Sequence, residues 1–293
     1  LRCPRDIRLK RGRLFGNTYA LLVATLRRFG VKVRLRDLTN IEEVREAIDD
    51  DTCCVFLEIL TNPQLEVADL KAISEVAHEK NVPLVVDSTV IPFTQFSAKN
   101  LGVDIEVVSS SKYVSGGATS LGGLVIDYGT PYNGDFAKRL YGEMLFNFGA
   151  YMTPQVAYMQ TIGLETLDAR YRVQSGNALE LAKKLRTLPQ IQYVNYVGLE
   201  DNPYHELAQR QFGKTAGAMI CIDLESKEAC FSFLNNLKLI HRATNLFDNR
   251  SLAIHPASTI FGAFSENMRK SMDVKDTTIR LSVGLEDVDD LFE

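Results

Sequence analysis

The sequence predicts an α/β fold whose main sheet is mostly parallel, because short apolar segments alternate with amphipathic helical segments through the first half of the chain. A smaller α+β unit is predicted to follow, since a long helical segment leads there into separate strand and helix patterns. The 293 residues suffice for two such units and a sizeable core. We therefore divide the chain into residues 1–152 and residues 153–293.

The first strand and helix of this pattern have clear local signals. Residues 31–35 alternate apolar and polar side chains, as a half-buried strand does. Asn40 then precedes a helical segment at 41–48, whose first turn holds Glu42 and Glu43. An asparagine cap accepts from free N–H groups and acidic residues complement the helix dipole, so this helix is predicted to begin after Asn40.

Four further apolar segments predict the remaining strands of the first half. A helix lies between the first two of them, and it begins after Asp69 with its apolar positions on one face. Strands that are separated by single helices run parallel and are covered by helices on both faces. The strands are predicted at residues 52–57, 83–86, 104–108 and 121–126.

The second half follows a glycine-rich, aromatic stretch at residues 129–149. Its last predicted strand carries one arginine, Arg280, and the chain ends at the start of a final helix. The basic opening, residues 1–13, has no clear period, and the chain is expected to be a fragment. The predicted segments are a helix at 153–188, a strand at 217–223, a helix at 227–237, an irregular stretch at 244–259 and a strand at 278–284.

Composition narrows the function classes. The net charge of −4 gives no basis for binding nucleic acid or an anionic membrane, and no apolar run reaches the ~18 residues of a membrane span. Five cysteines without CxxC spacing and four histidines without an HxxxH pair predict neither a disulfide framework nor a metal site. Cys53 and Cys54, adjacent within a strand, are interpreted as buried thiols of a cytoplasmic protein.

Polar residues follow three of the predicted strands at the point where each strand ends. They are Asn62, Asp87 and the run from Ser109 to Lys112. Because ligands bind beyond the carboxyl ends of parallel strands, these residues are predicted to meet in one site. A lysine that can form a Schiff base, hydroxyls for a phosphate and a carboxylate for a pyridine nitrogen together indicate a pyridoxal phosphate site.

Each of these residues also has an ordinary structural interpretation. Most lysines are solvated surface groups, but Lys112 follows a buried strand and sits among small residues. Asp87 can serve as a turn residue, and the serines as turn formers. Arg280 can form a surface ion pair, and the more specific alternative is a pair of hydrogen bonds to a substrate carboxylate.

The chain resembles the Cys/Met-metabolism family of pyridoxal phosphate enzymes, which includes cystathionine synthases and lyases, methionine γ-lyase and O-acetylhomoserine sulfhydrylase. Within the family it is most similar to the sulfhydrylase, because residues 245–248 resemble the Asn-x-Gly-Asp of those enzymes. The resemblance implies the aspartate-aminotransferase-like fold, fold type I. It rests on Phe15-Gly-Asn-Thr18, residues 58–63, Val85-Val-Asp-Ser-Thr89, residues 109–113, 115–123, 163–167, 245–259 and 280–287.

The resemblance implies a role for each matching residue around the cofactor. Lys112 would hold the pyridoxal phosphate and move protons at the α and β carbons of the substrate. Asp87 would pair with the pyridine nitrogen, and Ser109 and Ser111 would bind the phosphate. Thr89 would pack against one face of the ring.

Three residues are implied at the substrate. Asn62 would lie by the ring hydroxyl and the substrate carboxylate, and Arg280 would clamp that carboxylate with help from the backbone near Asn245. The family usually has a tyrosine stacked over the ring where this chain has Phe15, which can stack but cannot move a proton. Any phenol role would therefore pass to another group, such as Lys112.

The resemblance also implies parts that this sequence does not contain. The amino-terminal region of the family carries a small-residue loop that binds the phosphate and a Tyr and Arg pair that reaches the neighbouring subunit's site. The expected state is a homo-oligomer, a dimer of dimers that share active sites. The chain on its own is expected to bind the cofactor weakly or not at all.

The implied reaction is γ-replacement on O-acetylhomoserine by sulfide or a small thiol, giving homocysteine or methionine. The alternatives are a sister activity, cystathionine γ-synthase or a methionine or cystathionine γ-lyase, and a truncated, non-catalytic remnant of the family. A nicotinamide dehydrogenase ranks below these, because no GxGxxG follows the first strands.

Overall fold

The larger of two sheets in the computed structural model has six strands. The structure describes the backbone of residues 6–10 and the backbone and side chains of residues 14–293. The strand order is β2-β1-β3-β4-β5-β6, with all neighbours parallel except the β5–β6 pair. The prediction of a mostly parallel sheet is therefore confirmed. The strands are β1 (Asp6–Lys10), β2 (Lys32–Arg36), β3 (Thr52–Glu58), β4 (Leu84–Asp87), β5 (Ile105–Val108) and β6 (Leu124–Asp127).

The two helices that the sequence predicts in the first half begin at the expected residues. Asn40 accepts from the backbone N–H of Glu42 and Glu43, and Asp69 accepts from that of Ala72, so both predicted caps are confirmed. A helix that the sequence did not predict follows Phe15 and continues as a π-helical turn (Leu21–Thr25) and a 3₁₀ turn (Leu26–Phe29). The helices are α1 (Gly16–Ala20), α2 (Ile41–Ala47) and α3 (Leu70–Glu79).

The predicted helix at residues 153–188 is two helices. They meet at Thr166, whose hydroxyl bonds the carbonyl of Gly163 and accepts from Arg170, and such local side-chain bonds compete with a continuous helix. The aromatic stretch before them also forms short helices, with a π-helical segment at Leu140–Leu145. The helices are α4 (Phe136–Arg139), α5 (Phe146–Phe148), α6 (Pro154–Glu165) and α7 (Leu167–Leu185).

A five-stranded sheet forms the second half, in the order β7-β8-β11-β10-β9. Its central strand β11 is antiparallel to both neighbours, while β9 and β10 run parallel. The strands are β7 (Tyr193–Asn195), β8 (Met219–Asp223), β9 (His241–Arg242), β10 (Leu252–Ile254) and β11 (Thr278–Ser282). The helices are α8 (His205–Phe212), α9 (Lys227–Asn236), α10 (Glu266–Ser271) and α11 (Val288–Phe292).

One strand was not predicted, and two predictions are wrong in detail. Residues 1–13 show no clear period in the sequence, yet residues 6–10 form β1 between β2 and β3, because backbone pairing on both sides fixes a strand whose own sequence is charged. The stretch 244–259 is not wholly irregular, since it holds β10. Cys53 and Cys54 are only half-buried, near the start of β3. Residues 1–5 and 11–13 lie outside the described residues.

One hydrophobic core joins the two halves. The largest cluster of buried side chains runs from Leu38 through β3 and β4 to Tyr171 of α7 and on to Leu291 near the chain end. The boundary after residue 152 stays a prediction. Among the helices of the described ranges, none combines the length and apolarity that crossing a bilayer requires.

Candidate active site

A pocket of about 450 Å³ opens at the carboxyl ends of β3, β4 and β5. These three strands are neighbours in the sheet, so the residues that follow them lie side by side, as the sequence predicts. The start of α1 forms one wall and Leu246 of the second half closes another. The lining residues are Phe15, Asn17, Thr18, Leu21, Glu58, Asn62, Asp87, Thr89, Val90, Ser109, Lys112 and Leu246.

Lys112 places its amine inside this pocket. The side chain lies just before a 3₁₀ turn (Tyr113–Ser115), and its Nζ donates a 2.6 Å hydrogen bond to Oδ1 of Asn245. Burial, and then the nearby charge of Arg280, lower the pKa of Lys112 below its ordinary value. The amine is thus closer to its neutral, nucleophilic form than an exposed lysine.

Asp87 ends β4 and faces the same pocket. Its Oδ1 accepts from the backbone N–H of Thr89 at 2.9 Å. Burial, opposed by the hydrogen bonds from Thr89, raises the pKa of Asp87 above its ordinary value. Within the described part of the chain no cation forms an ion pair with this carboxylate, so a cationic partner would lower its free energy there.

The hydroxyl residues after β4 and β5 divide into two groups. Thr89 and Ser109 line the pocket, and Thr89 Oγ1 accepts from the backbone N–H of Ser109 at 2.9 Å. Ser111 does not line it: its hydroxyl accepts from the N–H of Gly122 at 2.9 Å and donates to the carbonyl of Gly122 at 3.2 Å. Ser110 is fully buried and points elsewhere. The geometry therefore offers the Ser109 hydroxyl, while the phosphate role of Ser111 stays a prediction.

Arg280 lies behind Asn62, on the central strand β11, and is not among the residues that line the pocket. Its guanidinium is almost completely buried and donates to Oδ1 of Asn62 at 3.2 Å and to the carbonyls of Thr244 and Asn245 at 3.1 and 3.0 Å. Burial lowers the pKa of Arg280 to about 10. Its Nε is buried and has no hydrogen-bond partner among the described residues.

Glu58 lines the pocket, although the sequence analysis assigned it no role. It is the last residue of β3 and is 5% exposed, and its Oε1 accepts from the backbone N–H of Phe15 at 2.6 Å. That bond holds the entry of α1, and with it Phe15, over the pocket. The signal was available, because Glu58 ends its strand just as Asp87 does.

The comparison with known sequences identifies the family. The sequence profile of the family described as Cys/Met metabolism PLP-dependent enzyme matches residues 6–293. The chain belongs to this family. The predicted resemblance is therefore confirmed, and the protein is an enzyme of a pyridoxal phosphate-dependent family.

Individual relatives in the Cys/Met metabolism family agree. The chain is 38% identical over 282 residues to an L-methionine gamma-lyase of Fusobacterium nucleatum subsp. polymorphum, covering 95% of this chain and 70% of the relative. A structure assigned as O-acetylhomoserine (thiol)-lyase from Campylobacter jejuni, solved with N′-pyridoxyl-lysine-5′-monophosphate, aligns with a TM-score of 0.94 at 32% identity over 98% of this chain and 75% of that one.

A second solved structure is also similar. O-acetylhomoserine sulfhydrylase of Wolinella succinogenes aligns with a TM-score of 0.84 at 40% identity, covering 98% of this chain and 82% of that one. These neighbours are fold type I enzymes with mixed sheets, which confirms the predicted fold class at that level. Identities of this size establish the Cys/Met metabolism family, and its members include both lyases and sulfhydrylases.

The residues of the pocket fit the cofactor of the Cys/Met metabolism family. An amine, a carboxylate without a cation, an aromatic side chain and a hydroxyl surround one cavity, and these are the groups that an aldehyde, a pyridine nitrogen, a flat ring and a phosphate require. Among side chains of residues 14–293 no three His, Cys, Asp or Glu residues converge as metal ligands would.

Proposed function

We propose that this protein catalyses γ-replacement on O-acetyl-L-homoserine with sulfide or a small thiol, with pyridoxal phosphate carried on Lys112. The proposal rests mainly on one observation: the amine of Lys112 lies in the same pocket as the carboxylate of Asp87. Asn245 accepts a hydrogen bond from this amine. Asn245 begins the stretch that resembles the sulfhydrylases, and the Wolinella sulfhydrylase is 40% identical.

When bound, pyridoxal phosphate supplies an electron sink for the carbons of the amino-acid substrate. Lys112 would hold the cofactor, and its amine would move protons at the α and β carbons of the substrate. Asp87 would pair with the protonated ring nitrogen, whose charge would offset the effect of burial that raises the pKa of this carboxyl. Ser109 would donate to the phosphate and Thr89 would pack on the ring, whereas Ser111 would donate only if its hydroxyl left Gly122.

The substrate is held from the other side of the pocket. Arg280 would bind the substrate carboxylate from behind Asn62, whose Oδ1 accepts from the guanidinium, and Asn62 would lie by the ring hydroxyl. The Phe15 side chain would cover the ring, but it has no acidic proton to transfer. Proton transfer to the γ leaving group would therefore come from Lys112. Glu58 holds Phe15 in place through the N–H of that residue.

A sister activity is the second candidate. The observation that supports γ-elimination from methionine is the 38% identity to L-methionine gamma-lyases. Offering O-acetylhomoserine with sulfide, O-acetylhomoserine with cysteine, and methionine alone separates sulfhydrylase, cystathionine γ-synthase and γ-lyase activities by their products. Thiol release from methionine that exceeds homocysteine formation would contradict our proposal.

We further propose a homo-oligomer that buries an apolar surface on the stretch from residue 121 to residue 164. Seven large apolar side chains of this stretch are more than half exposed, which is unusual for a monomer. Sedimentation velocity tests this, and a monomer at micromolar concentration would contradict it. A cytoplasmic location stays a prediction. The exposed side chains include Leu121, Tyr141, Met144, Phe146, Phe148, Tyr151 and Tyr158.

The first experiment is borohydride reduction of the protein with pyridoxal phosphate, followed by peptide mass mapping. We expect one pyridoxyl adduct, on Lys112, and none in the matched Lys112→Arg variant. An adduct on a different lysine would contradict the assigned site. The absence of any adduct on folded protein would contradict a competent site in this chain alone and favour the remnant alternative.

A further inference from the structure

A second carboxylate, Glu106, is buried behind the candidate site. It lies on β5 with no exposed surface. One of its oxygens accepts from the hydroxyl of Ser88, which is also fully buried, and the other accepts from the hydroxyl of Tyr128 at 2.5 Å. Hydrogen bonds from two hydroxyls hold the carboxylate in one orientation.

Burying this carboxylate carries an energetic cost. Within the described residues Glu106 forms no ion pair, and both of its hydrogen-bond partners there are neutral hydroxyl groups. A buried charge without a counterion raises the free energy of the folded state. Removing one of its hydrogen-bond donors usually destabilises the protein further. A carboxylate kept in this state points to a role outside stability.

Glu106 is close to Asp87 but does not face the pocket. The registered pairs are Val86 with Glu106 and Asp87 with Val107, so Glu106 and Asp87 lie one step apart on adjacent parallel strands. Registered residues point to the same face and neighbours along a strand to opposite faces, so Glu106 lies on the far side of the sheet from Asp87. Its charge contributes to the raised pKa of Asp87, after burial.

We propose that Glu106, oriented by Ser88 and Tyr128, is a positioning residue that acts through Asp87 to select pyridoxal phosphate with a protonated ring nitrogen. The two carboxylates form a site with two negative charges and no cation from the described residues. The protonated nitrogen provides the missing positive charge. This inference rests on the assignment of Asp87 in the proposed function.

Two ligands that differ only at the ring nitrogen test the proposal. The probes are pyridoxal phosphate and its analogue with carbon in place of that nitrogen, and dissociation constants are measured by equilibrium dialysis at one pH. Glu106→Gln keeps the shape and removes the charge. We expect it to raise the Kd of pyridoxal phosphate about tenfold, the order of a single charge interaction at an effective dielectric constant of about 20, and to leave the Kd of the analogue unchanged.

Further variants make every outcome decisive. Glu106→Leu replaces the carboxylate with an apolar side chain of similar size and serves if Glu106→Gln fails to fold. Equal weakening of both ligands would show a merely structural role and overturn the proposal, as would no change in either. Asp87→Asn is the reference variant. If it also leaves the preference for pyridoxal phosphate over the analogue unchanged, the assignment of Asp87 is wrong. If only Asp87→Asn changes this preference, the role of Glu106 alone is excluded.

Discussion

The amine of Lys112 donates a 2.6 Å hydrogen bond to the side-chain oxygen of Asn245, 133 positions further along the chain. The lysine follows β5 of the parallel sheet, and the asparagine lies in the loop between β9 and β10 of the second sheet. The candidate site is therefore completed across the junction of the two halves. Movement of one half against the other would change the position of the amine.

Removal of the Asn245 side chain should slow turnover more than it weakens binding. We expect Asn245→Ala to lower kcat about fivefold, because a positioned hydrogen bond contributes about 1 kcal/mol. The pyridoxyl adduct on Lys112 should still form. Steady-state kinetics with O-acetylhomoserine and sulfide check this, with the exposed Asn236→Ala as control. An unchanged kcat would contradict a positioning role for Asn245.

Conversion of Asn245 to a carboxylate should shift the pH profile. In Asn245→Asp, a negative charge beside the amine raises the pKa of Lys112, opposing the effect of burial. Since the amine must be neutral to accept a proton, the acid limb of the kcat profile should move to higher pH. A pH series of kcat measures the shift. A limb that stays in place or moves to lower pH would count against Lys112 as the base.

Arg280→Lys should act mainly on substrate binding. Lysine keeps the charge but loses the fork that contacts Asn62 and two carbonyls, so we expect KM for the amino acid to rise at least about tenfold with a smaller change in kcat. The exposed Arg210→Lys is the matched control. Unfolding should also be easier by about 1–3 kcal/mol, because buried acceptors lose their donor. An unchanged KM would exclude the carboxylate clamp.

Asp87→Asn should stabilise the cofactor-free protein while weakening cofactor binding. The pKa of Asp87 is raised on folding, so the folded state holds this proton more tightly than the unfolded state. Its contribution to stability is complete below the unfolded pKa and is lost as the pH rises through the folded pKa. The gain in Tm of Asp87→Asn over the unmodified protein should therefore be larger at pH 8 than at pH 4. Thermal melts of both proteins at pH 4 and pH 8 measure this difference. An equal gain in Tm at the two pH values would contradict the prediction.

Gly163 is the point at which α6 packs on the turn after Lys112. A Cβ on this residue would lie 2.1 Å from the carbonyl oxygen of Val114 and 2.7 Å from the carbonyl carbon of Ser115. Gly163→Ala should cost about 1–3 kcal/mol of stability and lower cofactor loading, because the backbone after Lys112 must shift. Gly176→Ala, on an exposed position of α7 with open space around it, should instead add up to about 1 kcal/mol. Urea unfolding distinguishes these opposite signs.

The sequence by itself determined most of the parallel sheet and the meeting of Asn62, Asp87, Ser109 and Lys112. Its signals are local: apolar runs, caps such as Asn40 and Asp69, and polar residues at strand ends. A parallel sheet places all those ends on one edge, so the order of elements already implies the site. Even the family could be identified from short motifs, and three of them, residues 58–63, 85–89 and 109–113, lie at such ends.

Only the tertiary structure decided contacts between residues distant in sequence. The charged strand β1 forms because β2 and β3 pair with its backbone. Ser111 bonds to Gly122, and Asn245 contacts Lys112 with its side chain in addition to the expected contact of its backbone with Arg280. The sequence gives no sign that Glu106 differs from an ordinary strand residue. Only the structure shows that the hydroxyls of Ser88 and Tyr128 donate to its carboxylate. Such contacts depend on how strands and loops pack in space, and no local pattern encodes that packing.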